Sequence, residues 1–114
     1  MRETVRGRTW TKVAERSDIP PGRSKLVIGP ADKPMALFNI DGEFFAINHI
    51  CPHRGGPLAD GRLEGSIVTC PWHGWTFDVR TGEPDHPGGH SVAAYEVKVE
   101  GVDVSVGWLK APPG

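Results

Sequence analysis

Cys51-Pro52-His53, followed after sixteen residues by Cys70-Pro71-Trp72-His73, is the stretch on which the reading of this chain turns. Two thiols and two imidazoles are a full set of four protein ligands. Two kinds of centre take such a set: a tetrahedral zinc ion, or a 2Fe-2S cluster in which two His replace two Cys on one iron. Spacing bears on the choice. Structural zinc usually draws ligands roughly two to four residues apart within each half-site, whereas a single residue separates Cys51 from His53. That gap makes chelation of one small ion awkward. It suits two irons side by side, with Cys51 and Cys70 on one and His53 and His73 on the other.

The sequence around the stretch reads as short strands. Asp41-Gly42 is a strong two-residue hairpin signal, so Met35–Ile40 and Glu43–Asn48 are expected to pair and deliver the chain to Cys51. Upstream, Thr9–Ala14 is expected as a first strand with Trp10 facing inward. Ser17–Gly22 reads as a connecting turn, since Pro pre-sets φ and Gly relieves it, and Lys25–Ile28 precedes a Pro30–Pro34 turn. Between the two half-sites, Gly61 to Gly65 reads as a turn and Ser66–Thr69 as a β-branched strand. Downstream come Trp75–Asp78, with Trp75 and Phe77 on one face, a Gly82 turn and a Pro/Gly loop over Glu83–Gly89. Val92–Glu100 and Asp103–Trp108 are expected to form a final pair. No window carries apolar residues at i, i+3, i+4 and i+7 long enough for a helix. The expectation is an all-β fold, a small antiparallel barrel or sandwich.

Composition bounds the rest. A chain of 114 residues is one domain with one core; residues 1–8 and 110–114 read as tails, the first charged and without a strand partner in the pattern. Fifteen Gly and eleven Pro punctuate apolar runs rather than polar sequence, as in all-β chains. The net charge of −1 provides no basic field for nucleic acid. Both cysteines are claimed by the motif, so none remains for a structural disulfide. The first ten residues have no apolar stretch that would serve as a signal peptide, and no run approaches the roughly eighteen apolar residues that span a bilayer. These features lead to the expectation of a soluble, cytoplasmic protein.

C-P-H-R-G-G-P-L-A-D-G at 51–61, I-V-T-C-P-W-H-G-W-T-F-D at 67–78 and T-G at 81–82 resemble the Rieske iron–sulfur family, and the likeness extends over roughly residues 9–108. The resemblance implies one 2Fe-2S cluster held by Cys51, His53, Cys70 and His73, on two loops that project from the barrel as a smaller subdomain. High-potential members of the family carry an extra Cys in each ligand loop, joined as a disulfide, and a Ser shortly after the second His. Here Arg54 to Pro57, Trp72 and Trp75 stand at the corresponding places, so both are missing. The chain is closer in this respect to the soluble ferredoxins of bacterial ring-hydroxylating systems, and its motifs also resemble the Rieske domains of the oxygenase subunits.

Three functions follow as expectations. The first is a one-electron carrier, monomeric, that meets a flavoprotein reductase and a terminal oxygenase transiently. The second is the small Rieske-like subunit of a cytoplasmic nitrite reductase, and the third a zinc-binding interaction module. Oxygenase activity within this chain is not expected, because a mononuclear iron site needs two further His and a carboxylate, and no second domain has room to form. Pro52 and Pro71 stiffen the loops, while Gly55, Gly56 and Gly74 let backbone amides approach the metal centre. His49 reads as a surface or hydrogen-bonded residue, His86 and His90 as exposed loop residues, and Trp10, Trp75 and Trp108 as core. Trp72 is expected near the docking surface. Pro84–Gly89 resembles the loop that covers the cluster in the family.

Overall fold

A strand that is apolar on both faces must be covered on both, and Pro34–Ile40, apolar at every position but Asn39, is such a strand. The computed structural model, which describes residues 4–5, 8–52, 55–72, 74–87 and 89–110, shows what covers it. Thr4–Val5 (β1) and Arg8–Thr9 (β2) pair as a short hairpin, so part of the expected N-terminal tail is in a strand. Six strands then form one antiparallel sheet. These are Thr11–Glu15 (β3), Ser24–Ile28 (β4), Pro34–Ile40 (β5), Glu43–Asn48 (β6), Ala94–Glu100 (β10) and Asp103–Leu109 (β11). Their order is β3-β11-β10-β6-β5-β4, and the edges β3 and β4 come into contact, so the sheet curls into a near-barrel. Arg62–Glu64 (β7), Ile67–Thr69 (β8) and Thr76–Asp78 (β9) form a separate antiparallel sheet.

Side chains on a strand alternate between faces, and β5 and β6 use both. Met35, Leu37, Phe44 and Ala46 fill the barrel with Val27, Tyr95, Val104 and Val106. Their neighbours Ala36, Phe38 and Ile47 face the other way and pack on Leu58, Val68, Phe77 and Val79 of the small sheet and its loops. Full burial of side chains such as Phe38 and Phe77 contributes about 1.5–3 kcal/mol each. Among the described ion pairs none joins the small sheet to the barrel. Apolar packing holds the two layers together, with a few hydrogen bonds such as Val92 N–H to the Gly82 carbonyl and Ser24 Oγ to the Ala59 carbonyl. Cys51 and Cys70 belong to this second core, which places them at the junction.

The hairpin at Asp41-Gly42 forms as its residues dictate: both have positive φ, +53° and +93°, the requirement of a type I′ turn. Buried Asn39 secures it. Its side chain donates to the Ile19 carbonyl at 2.7 Å and accepts the Gly42 N–H at 2.7 Å. No α-helix occurs among the described residues, only three 3-10 turns, and no helix is long and apolar enough to cross a membrane.

Three sequence expectations are corrected. Arg62–Glu64 is a strand rather than part of a turn, paired to β8 through Gly65-Ser66. Trp10 lies between β2 and β3 and is only half-buried, outside both cores. Its ring rests against Trp108, also half-buried, at a centroid distance of 4.7 Å, and lies over Gly107, where a Cβ would stand 3.0 Å from it. At the other end Lys110 is anchored rather than loose: its N–H donates to Ala94 and its Nζ to the Arg80 carbonyl. Residues 111–114 lie outside the described residues.

Candidate metal centre

The two cysteine loops are closed in the same way. Cys51 donates its N–H to the carbonyl of Gly56, five residues on, at 2.9 Å. Cys70 donates to Trp75, again five residues on, at 2.7 Å. In each loop the residue before the acceptor is a glycine with positive φ, +75° at Gly55 and +76° at Gly74. A left-handed residue there turns the chain back onto its own start, at little steric cost only for Gly. The sequence thus builds two equivalent small loops, one from C-P-H-R-G-G and one from C-P-W-H-G-W.

Each loop is tied to the scaffold. Ile50 and Pro57 bridge as antiparallel residues, and the Leu58 N–H donates to the His49 carbonyl at 2.9 Å. His49 is buried, and its Nδ1 accepts the Ala59 N–H at 3.2 Å. Burial pushes its pKa down, with Asp60 acting in the opposite direction. The hydrogen-bonded role expected for His49 is therefore correct, and the surface role is not. The second loop is carried by β8 and β9, held further by Val79 N–H to Ser66 and by a Phe77–Pro84 bridge.

The sulfurs meet at the junction. Cys51 and Cys70 are both free thiols, 2 % and 1 % exposed. Burial pushes the Cys70 thiol up; the Trp72 N–H, which donates to its sulfur, acts against this, and the adjacent Cys51 thiol raises it further. Gly56 packs on the same place, since a Cβ there would lie 2.5 Å from Cys70 Sγ and 3.1 Å from Trp72 Cβ. Two neighbouring buried thiols resist ionising together unless a cation neutralises them. That is the behaviour of a metal site. Among the described residues the donor set is this pair; the other two expected ligands, His53 and His73, lie outside the described residues, as does Arg54.

Residues 9–96 match the Rieske [2Fe-2S] domain family. The chain belongs to the Rieske family. It is 38 % identical over 105 residues to the biphenyl dioxygenase ferredoxin subunit of Pseudomonas sp. (strain KKS102), an alignment that covers 90 % of this chain and 95 % of that one. Among solved structures it resembles a chain of the complex of reduced oxygenase and oxidized ferredoxin in carbazole 1,9a-dioxygenase, with a TM-score of 0.78 and 34 % identity over 85 % of this chain and 91 % of that chain. The Sphingomonas yanoikuyae B1 ferredoxin gives a TM-score of 0.79 at 28 % identity, over 85 % and 96 %. The group of this Rieske domain is a 2Fe-2S cluster. The chain fits it, because the buried sulfur pair, the Trp72 amide aimed at Cys70 and the space kept by Gly56 favour thiolates bound to a cation.

Of the other residues singled out in the sequence, Trp72 is half exposed, His90 is exposed and Trp75 is half-buried against the second core. His86 departs from expectation. Its ring is not an open loop residue: it lies 4.8 Å from Trp75 and 5.9 Å from Phe77, with Nε2 buried and without a hydrogen-bond partner among the described residues. A histidine in a Pro/Gly loop carries no local sign of that burial, which depends on the loop folding back over β9.

Proposed function

We propose that Cys51, His53, Cys70 and His73 hold one Rieske 2Fe-2S cluster and that the chain carries single electrons from a flavoprotein reductase to a terminal oxygenase. The observation that carries this reading is the pair of buried sulfurs presented by two identically closed loops. When bound, the cluster supplies a one-electron couple whose ligation need not change. Cys51 and Cys70 supply the negative charge, and His53 and His73 supply neutral donors, so the site is less negative than one with four thiolates and more readily reduced. Trp72 N–H stabilises charge on the Cys70 sulfur. The protein is an electron carrier, not itself a catalyst.

Ile50 and Trp72, 41 % and 50 % exposed, flank the buried cysteines and offer apolar surface where a partner must approach. Carrier interfaces are small and short-lived, which suits a monomer working in the cytoplasm. The test is reconstitution. The dithionite-reduced protein should give an anisotropic EPR signal of low average g, and should then reoxidise on mixing with a purified terminal oxygenase. Trp72→Ala should keep the signal and slow that transfer several-fold. Stoichiometric zinc with no signal would end the cluster assignment. Co-purification with a large sirohaem protein would favour the nitrite reductase subunit instead.

A further inference from the structure

His86 is connected to the ligand Cys70 by a single peptide unit. In the β8–β9 ladder, Cys70 faces Trp75 as a hydrogen-bonded pair, so the next pair, Thr69 with Thr76, leaves the amide and carbonyl of Thr76 pointing away from β8. On that outer side Pro84 and Asp85 run past as a partial partner strand: Asp78 N–H donates to Glu83 and Asp85 N–H to Thr76, both at 2.8 Å. A full ladder would return a bond from Thr76 N–H to the Asp85 carbonyl. The described acceptor is instead His86 Nδ1, at 3.2 Å. Nδ1 also lies 3.3 Å from Thr76 Oγ1 and 3.0 Å from the Thr76 carbonyl. The Thr76 amide can only donate, so in that bond Nδ1 is the acceptor, which is the tautomer with the proton on Nε2.

The ring is held there at a cost. Nε2 is buried without a partner among the described residues, and Gly89 packs so closely on it that any larger residue would collide with the imidazole. An apolar side chain would fill the space against Trp75 and Phe77 without burying an unpaired N–H. What an apolar side chain lacks is the acceptor. The peptide whose N–H binds Nδ1 is the one whose carbonyl, that of Trp75, receives the Cys70 N–H at 2.7 Å. Hydrogen bonds in such a chain polarise one another.

We propose that His86 is a positioning residue for the cluster: through the Trp75–Thr76 peptide its Nδ1 fixes the backbone of Cys70, and with it the sulfur ligand. This rests on the assignment of Cys70 as a ligand. With Cys70 held, its sulfur stays within reach of the Trp72 N–H, which favours the reduced and more negative state. Losing the acceptor loosens that arrangement and makes the cluster harder to reduce.

Two variants separate the acceptor from the packing. His86→Leu keeps apolar volume and removes the acceptor; His86→Asn returns an oxygen close to the place of Nδ1. In the intact protein, hydrogen exchange in fragments spanning Cys70–Thr76 should quicken at least tenfold in His86→Leu and stay near wild type in His86→Asn. At a fixed potential near the midpoint, the reduced-to-oxidised ratio should fall two- to threefold in His86→Leu and recover in His86→Asn. Failure of His86→Leu to assemble the cluster, with assembly in His86→Asn, gives the same answer. Wild-type exchange and ratio in His86→Leu, or equal loss in both variants, overturns the proposal. A wild-type protein without a Rieske spectrum refutes the ligand assignment itself, whatever the variants do.

Discussion

Gly56→Ala is the smallest change that presses on both cysteine loops at once. Gly56 is buried and its φ is not in the left-handed region, so an alanine there meets no backbone penalty of its own. The new methyl would stand 2.5 Å from Cys70 Sγ, 3.1 Å from Trp72 Cβ and 3.2 Å from Trp72 Cγ. Non-bonded carbons rest at about 3.5–4.0 Å, and sulfur needs no less, so roughly 1–1.5 Å of relief has to be found. Gly56 cannot easily retreat, because its carbonyl holds the Cys51 N–H. The sulfur must move, or the first loop must. Overpacking of this kind costs about 1–3 kcal/mol, which corresponds to roughly 5- to 150-fold weaker cluster retention. The assay is iron and sulfide per chain, followed by the rate at which the visible spectrum fades under a chelator. Gly65→Ala is the control: φ is +60° but nothing lies within 4 Å of its added Cβ, so it should lower thermal stability and leave loading intact. Wild-type loading and fading rate in Gly56→Ala would refute the reasoning.

Cys51→Ala and Cys70→Ala should each abolish the visible spectrum and lower thermal stability, since metal binding contributes folding free energy and both sulfurs are core atoms; a full spectrum in either variant would contradict their role as ligands. Asp78 is held below the usual carboxylate range chiefly by its hydrogen bond with Arg80, with burial opposing. A depressed folded-state pKa contributes stability that is present above the ordinary carboxylate pKa and lost as pH falls through the folded value. Asp78→Asn should therefore show less acid-dependent loss of stability below about pH 4 than the wild type; parallel stability–pH curves in that range would count against the pair. The midpoint potential should lie near the lower end of the roughly −150 to +300 mV Rieske window, because the chain has neither the loop disulfide nor the Ser that would stabilise the reduced state. Voltammetry returning more than about +100 mV on that scale would reveal a hydrogen-bond donor not accounted for.

The sequence by itself offered the proposed donor pattern, because Cys and His at such short spacing point to metal chemistry without help from the rest of the chain. It also determined the Asp41-Gly42 hairpin and the strands around it, whose signals are local: a turn that demands positive φ, and apolar runs on either side. Even so, the three-residue strand Arg62–Glu64 was hidden between two glycines that look like a turn. Only the tertiary structure decided which faces are buried. Both faces of β5 are covered because a second sheet packs on the barrel, and that layer draws Cys51 and Cys70 together across the sequence. Trp10 and Trp108 are drawn to each other over Gly107 rather than into a core. His86 takes the place of a ladder acceptor only because the chain turns away at Asp85, opposite a free amide ten residues earlier. Strand registers and layer contacts of this kind are agreements between distant segments, and the free energy that selects among them exists only once those segments have met.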